Sequence, residues 1–142
     1  ACFQHRESMA CLSVRMNKDY PLYIRLVPML FVMGMIFFLS HQPGDDLELP
    51  SIPFLDKAAH FFIYGLLAMT ILGVPSSRFK KARPLATCGG VVLLCLVYGV
   101  IDEFHQSFIS GRFVSGGDII ADVAGALTLC LIWFRRQSAG KQ

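Results

Sequence analysis

The groups best suited to chemistry in this chain lie in Asp102-Glu103-Phe104-His105-Gln106, in Gly111-Arg112 and at Asp118 and Asp122, where they interrupt or border long apolar runs. A charged side chain at the centre of a bilayer costs roughly 2.5 to 3.5 kcal/mol on the mildest insertion scale, so such a group marks a functional site whose partner must be found. An earlier set, Asp56-Lys57-Ala58-Ala59-His60 with Tyr64, opens another apolar run. Together these residues offer carboxylates for proton transfer or cation binding, an imidazole, an amide, and Lys57 and Arg112 as the cations at hand.

Their spacing limits which can meet. Asp56, His60 and Tyr64 stand four apart, as do Tyr98, Asp102 and Gln106, and as do Asp118 and Asp122. A four-residue interval repeats one helix face, so each segment presents a polar stripe. Stripes turned to lipid would leave polar groups unsatisfied, so the three are expected to face one another. The expected result is an outward-facing acidic pocket of ligand-binding residues: Asp56, Lys57, His60, Tyr64, Asp102, Glu103, Gln106, Arg112, Asp118 and Asp122. A purely structural alternative has Lys57 and Arg112 neutralising two carboxylates while tyrosine and glutamine hydrogen bonds brace the helices. Five acids against those two bases leave a surplus that needs a proton, a metal or a cationic ligand.

Other chemistries have weaker support. His60 and His105 with nearby carboxylates could ligate a divalent ion, but the spacing is not diagnostic and no HExxH element exists, so no metal or other cofactor is assigned. Ser40, Ser107, Ser110 and Ser115 lie near span ends without a GxSxG elbow. An enzyme acting on a phospholipid or polyprenyl phosphate would use Glu103 or Asp102 as acid–base group and Arg112 or Lys57 on phosphate. The acidic surplus stands against it, and the reading leans away from an enzyme, with no catalytic residue assigned.

The elements that must position these groups follow from composition. The chain has 142 residues, 54% hydrophobic and only 16% charged, more apolar and less charged than an ordinary soluble domain. Apolar segments at Ile24 to Ser40, Lys57 to Val74, Leu85 to Ile101 and Asp118 to Phe134 each approach the ~20 residues that cross a hydrocarbon core. The expected fold is all-α, an integral membrane bundle of four helices, with residues 1–23 as an N-terminal segment, 24–134 as the membrane domain and 135–142 as a tail. Gln42-Pro43-Gly44, Pro50-Ser51-Ile52-Pro53, Pro75-Ser76-Ser77, Pro84 and the loop from Gly111 to Gly117 punctuate the spans. Gly89-Gly90, Gly99 and Ala121-x-x-x-Gly125 offer small surfaces for close helix approach.

Basic residues near span ends are retained in the cytoplasm. Arg15, Lys18 and Arg25 precede or begin the first span, Arg78, Lys80, Lys81 and Arg83 separate the second and third, and Arg135, Arg136 and Lys141 follow the fourth. The opposite loops hold little beyond Lys57 and Arg112, and Asp45, Asp46, Glu48 and Asp56 make the first acidic. Both termini are therefore expected in the cytoplasm and the polar stripes at the outer face, with Asp122 only about 6 Å deeper than Asp118 at a 1.5 Å rise per residue. The stretch before Tyr20 has no apolar core for a signal peptide, and Met9 and Met16 are both possible starts. A net charge of +3 without a run of basic residues is too small to suggest a nucleic-acid binder, and no nucleic-acid partner is expected. Cys2, Cys11, Cys88, Cys95 and Cys130 form no CxxC pair, and those inside apolar runs read as small hydrophobes.

Read together, Asp56-Lys57-x-x-His60-x-x-x-Tyr64, Tyr98-x-x-x-Asp102-Glu103-x-x-Gln106, Gly111-Arg112 and Asp118-x-x-x-Asp122-x-x-Gly125 resemble the VanZ-like family of small bacterial membrane proteins, and Ser40-x-Gln42-Pro43 looks like that family's end to its first span. The likeness runs from about Ile24 to Phe134, and departs from the family's pattern at Asp122, where Asn is more usual. The family takes its name from a component of resistance to teicoplanin, a lipid-bearing glycopeptide. The resemblance implies a multi-pass protein of the bacterial inner membrane with a site in the outer leaflet. The function expected is the binding of a cell-envelope lipid or lipoglycopeptide; the alternative is a small accessory subunit of a larger membrane complex.

Overall fold

A computed structural model describes residues 20–44 and 54–139. Four long helices and one short one make up the described chain: α1 (Leu22–Ser40), α2 (Leu55–Gly73), α3 (Ser77–Ala82), α4 (Pro84–Gln106) and α5 (Gly116–Ala139). The expected segments before Tyr20, the acidic residues Asp45, Asp46 and Glu48, the Pro50–Pro53 turn and Lys141 lie outside the described residues. The four long helices are each long and apolar enough to cross a membrane, the make-up of a multi-pass membrane protein. At 1.5 Å per residue they measure roughly 28 to 36 Å, matching or exceeding a hydrocarbon core of ~30 Å.

Local chemistry sets the ends. Pro84 occupies the first turn of α4, where its missing N–H costs no helix bond. Ser76 caps α3 by accepting a hydrogen bond from the Phe79 N–H at 3.2 Å. At the α2 C-terminus, Arg25 Nη1 donates to the Val74 carbonyl at 2.6 Å and Lys80 Nζ to the Leu72 carbonyl at 3.0 Å. These cations satisfy carbonyls that a helix end leaves without intrahelical partners.

Helices α2 and α5 pack most extensively and run parallel, so that Lys57 meets Asp118 and His60 meets Asp122. α4 lies antiparallel against both, and α1 rests on α2 and α4 without reaching α5. One end of the bundle therefore gathers the C-termini of α1 and α4 with the N-termini of α2 and α5. The opposite end gathers Arg25, Arg78, Lys80, Lys81, Arg83, Arg135 and Arg136. The apolar core includes Val32, Ile36, Tyr64, Leu67, Ala68, Val91, Cys95 and Ala126. Exposed Phe104, Phe108 and Phe113 mark the first end and Tyr20, Tyr23 and Phe79 the second, an arrangement suited to two membrane–water interfaces.

Close approach of the long helices depends on Gly99 and Gly125. A Cβ on Gly125 would collide with the Phe61 carbonyl of α2, and one on Gly99 would come within 2.6 Å of Asp122 Oδ2. Only a residue without a side chain permits these approaches. Gly89 and Gly90 do not act this way. An added Cβ meets nothing within 4 Å at either position, because both lie on an exposed face of α4.

Candidate functional site

The stripes of α2, α4 and α5 meet at one end of the bundle, but divide into two groups on either side of His60. Asp102 and Glu103 are consecutive, about 100° apart around α4, so they face different neighbours.

On one side lies a half-open cavity of about 290 Å³ between α1, α2 and α4. Ile36, Leu39, Ala59 and Ile63 give it an apolar wall, while Ser40, Asp56, His60, Asp102, Gln106 and Arg112 supply polar atoms. Gln106 Nε2 donates to Asp102 Oδ2 at 3.1 Å and to Ser40 Oγ at 3.3 Å, and all three residues are buried. The pairing follows from the four-residue spacing and holds the Asp102 carboxylate toward the cavity. Ser40, which the sequence reading left out of the ligand-binding set, thus lines the cavity.

On the other side lies a cluster facing α5. His60 Nδ1 and Asp122 Oδ1 are 2.9 Å apart, with Asp122 wholly buried. Lys57 Nζ donates to Asp118 Oδ1 at 3.0 Å and to the exposed Asp56 Oδ2 at 2.9 Å. Glu103 Oε2 accepts the Ser115 backbone N–H at 2.9 Å, tying the loop before α5 to α4. Ligand atoms of His60, Glu103 and Asp118 lie within 4.8 Å of one another, the described group best placed to hold a metal.

Tyr64 sits below His60, fully buried, its ring parallel to the imidazole with centroids 6.2 Å apart and its hydroxyl without a protein partner. Tyr98 turns to α1, where its hydroxyl donates to the Met33 carbonyl at 2.7 Å.

Two sequence expectations need correction. Arg112 neutralises no carboxylate among the described residues: its Nη2 donates to the Leu39 carbonyl at 2.7 Å and its Nε to the Gln42 carbonyl at 3.1 Å. It clasps the C-terminus of α1, where a cation also complements the helix dipole. His105 does not join His60 as a ligand pair; its Nε2 lies 3.3 Å from His41 Nδ1, and its ring packs on Phe37. As the stripe spacing predicts, α4 runs on from its apolar part through Gln106 and carries Asp102, Glu103 and Gln106 on its last turns. With Arg112 removed from the charge balance, Lys57 is the single lysine or arginine paired with the carboxylates among the described residues.

Comparison with known proteins places this arrangement in a family. No solved structure matches the chain. An uncharacterised protein of the fission yeast Schizosaccharomyces pombe is 30% identical over 112 residues, covering 76% of this chain and 65% of the relative's length. The chain thus spans just under two thirds of that protein, and the likeness extends to a eukaryote. A family model matches residues 13–137, nearly the whole chain and all four membrane-length helices, and the protein belongs to the VanZ/LLP1 family.

Proposed function

We propose that the protein binds a membrane amphiphile non-enzymatically, taking its polar head into the cavity between α1, α2 and α4 while the apolar part lies along Ile36, Leu39 and Ile63. The observation that carries this reading is the cavity itself: one wall is aliphatic, and the other presents Asp102, Gln106, His60 and Arg112. A pocket with a mostly apolar lining and a few convergent polar groups is the usual form of a small-molecule site. Its ~290 Å³ lies at the small end of that class, so it suits a headgroup or one arm of a larger ligand. A lipoglycopeptide would enter only in part, and a lipid with a hydrogen-bonding or cationic headgroup fits better.

The basic end of the bundle faces the cytoplasm in this reading, with both termini there and the cavity in the opposite leaflet. The bacterial cytoplasmic membrane is one setting. The fission-yeast relative favours a ligand chemistry common to membranes generally over one confined to antibiotic resistance. The accessory-subunit reading draws on α1, which packs on only two helices and exposes Phe31, Phe37 and Phe38. That surface suits a partner helix as well as lipid.

Native mass spectrometry after mild detergent extraction separates the two. A monomer or small homo-oligomer carrying a lipid-sized adduct, lost in Asp102→Asn with insertion intact, supports binding. A protein-sized addition with no lipid adduct supports the subunit role, and an adduct retained in Asp102→Asn and Gln106→Leu alike removes the cavity reading.

A further inference from the structure

We propose that His60, Glu103 and Asp118 bind one divalent transition-metal ion of the zinc–manganese class, with Asp122 positioning His60 from behind. The site stands beside the cavity and shares His60 with it.

Two observations carry it besides the grouping of acids. Glu103 is only 2% exposed, and its Oε1, fully buried, has no hydrogen-bond partner although Oε2 is taken by the Ser115 N–H. A buried carboxylate oxygen without a donor is costly, and this one belongs to a side chain whose carboxylate approaches His60 and Asp118. The second observation is the imidazole. Its Nδ1 is engaged by Asp122 Oδ1 at 2.9 Å, which fixes the ring and leaves Nε2 as the nitrogen for a ligand. Metal-binding histidines nearly always give their other ring N–H to a carboxylate or carbonyl in this way.

Distance and charge agree. A tetrahedral ion about 2.1 Å from each ligand holds ligand atoms about 3.4 Å apart, so atoms now within 4.8 Å close on it by side-chain adjustment. Glu103, Asp118 and Asp122 carry three negative charges in a site that excludes most water, and Lys57 supplies one positive charge. A divalent ion beside neutral His60 would offset two of these charges, which Lys57, shared with the exposed Asp56, offsets only in part. The imidazole favours zinc or manganese over calcium or magnesium, which prefer all-oxygen shells. Lys57, bound to Asp118 Oδ1, is the competing cation within the fold.

The test is metal binding by the purified full chain in detergent, stripped with chelator and then equilibrated with Zn2+ or Mn2+. Bound metal is read by mass spectrometry of the elements. About one ion per chain is expected, with Glu103→Gln weakening binding strongly and Asp122→Asn weakening it roughly 10- to 100-fold as a positioning residue. Asp102→Asn, on the cavity side, should weaken binding far less than Glu103→Gln. Lys57→Gln should tighten it by removing the competitor, a gain that general damage to the fold cannot produce. Wild type binding neither metal, Asp102→Asn weakening binding as much as Glu103→Gln, or Lys57→Gln failing to tighten it would each overturn the site.

Discussion

Replacing Gly125 by alanine should part α2 from α5 and open the polar site one turn above. The added methyl would overlap the Phe61 carbonyl, and since a carbon approaches a carbonyl oxygen no closer than about 3.3 Å, the helices must separate by on the order of 1 Å. The Lys57–Asp118 and His60–Asp122 contacts, 3.0 and 2.9 Å long, bridge the same helix pair and would stretch beyond hydrogen-bond range. Overpacking costs about 1 to 3 kcal/mol and losing the buried His60–Asp122 contact about 1.5 to 3 more, while the partly exposed Lys57, still held by Asp56, adds little. Alanine's better helix propensity returns about 1 kcal/mol, so the net loss is about 1.5 to 5 kcal/mol. At roughly 3 to 4 °C per kcal/mol for a chain of this size, thermal unfolding in detergent should fall by about 5 to 20 °C. Gly89→Ala and Gly90→Ala, where the methyl meets nothing, provide the control and should match or exceed wild type. If Gly125→Ala melts with those controls, the close α2–α5 crossing is wrong.

Arg112→Ala should release the α1 C-terminus, costing about 1 to 2 kcal/mol for two partly exposed bonds from a charged donor, and chymotrypsin should cut faster at Phe108 and Phe113. Unchanged cleavage would mean that the clasp does not hold the loop. Tyr98→Phe removes the bond to the Met33 carbonyl and should cost about 0.5 to 1.5 kcal/mol, measured as a lower unfolding temperature without loss of site function.

The four spans were legible because apolar runs of membrane length admit few alternatives, and the stripes because a four-residue repeat fixes a helix face. How helices rotate against one another is not written in spacing. That rotation sends Asp102 to the cavity and Glu103 to the α5 side, with His60 between them. Gly99 and Gly125 could not be told from Gly89 and Gly90 by type, because the difference lies in what stands opposite. Arg112 resembled a carboxylate partner in sequence, yet helix-end carbonyls compete for a guanidinium, and α1 ends within its reach. The helix at Ser77–Ala82 was hidden by its prolines and serines, which act as caps and boundaries.

The cavity is tested most directly by a photocrosslinking residue placed at Ile63, on its apolar wall, and separately at Leu127, on the exposed face of α5. After illumination in native membranes, the attached lipids are identified by mass spectrometry. Enrichment of one headgroup class at Ile63, with bulk composition at Leu127, is the result expected of a binding cavity. The same bulk lipid mixture at both positions would contradict it.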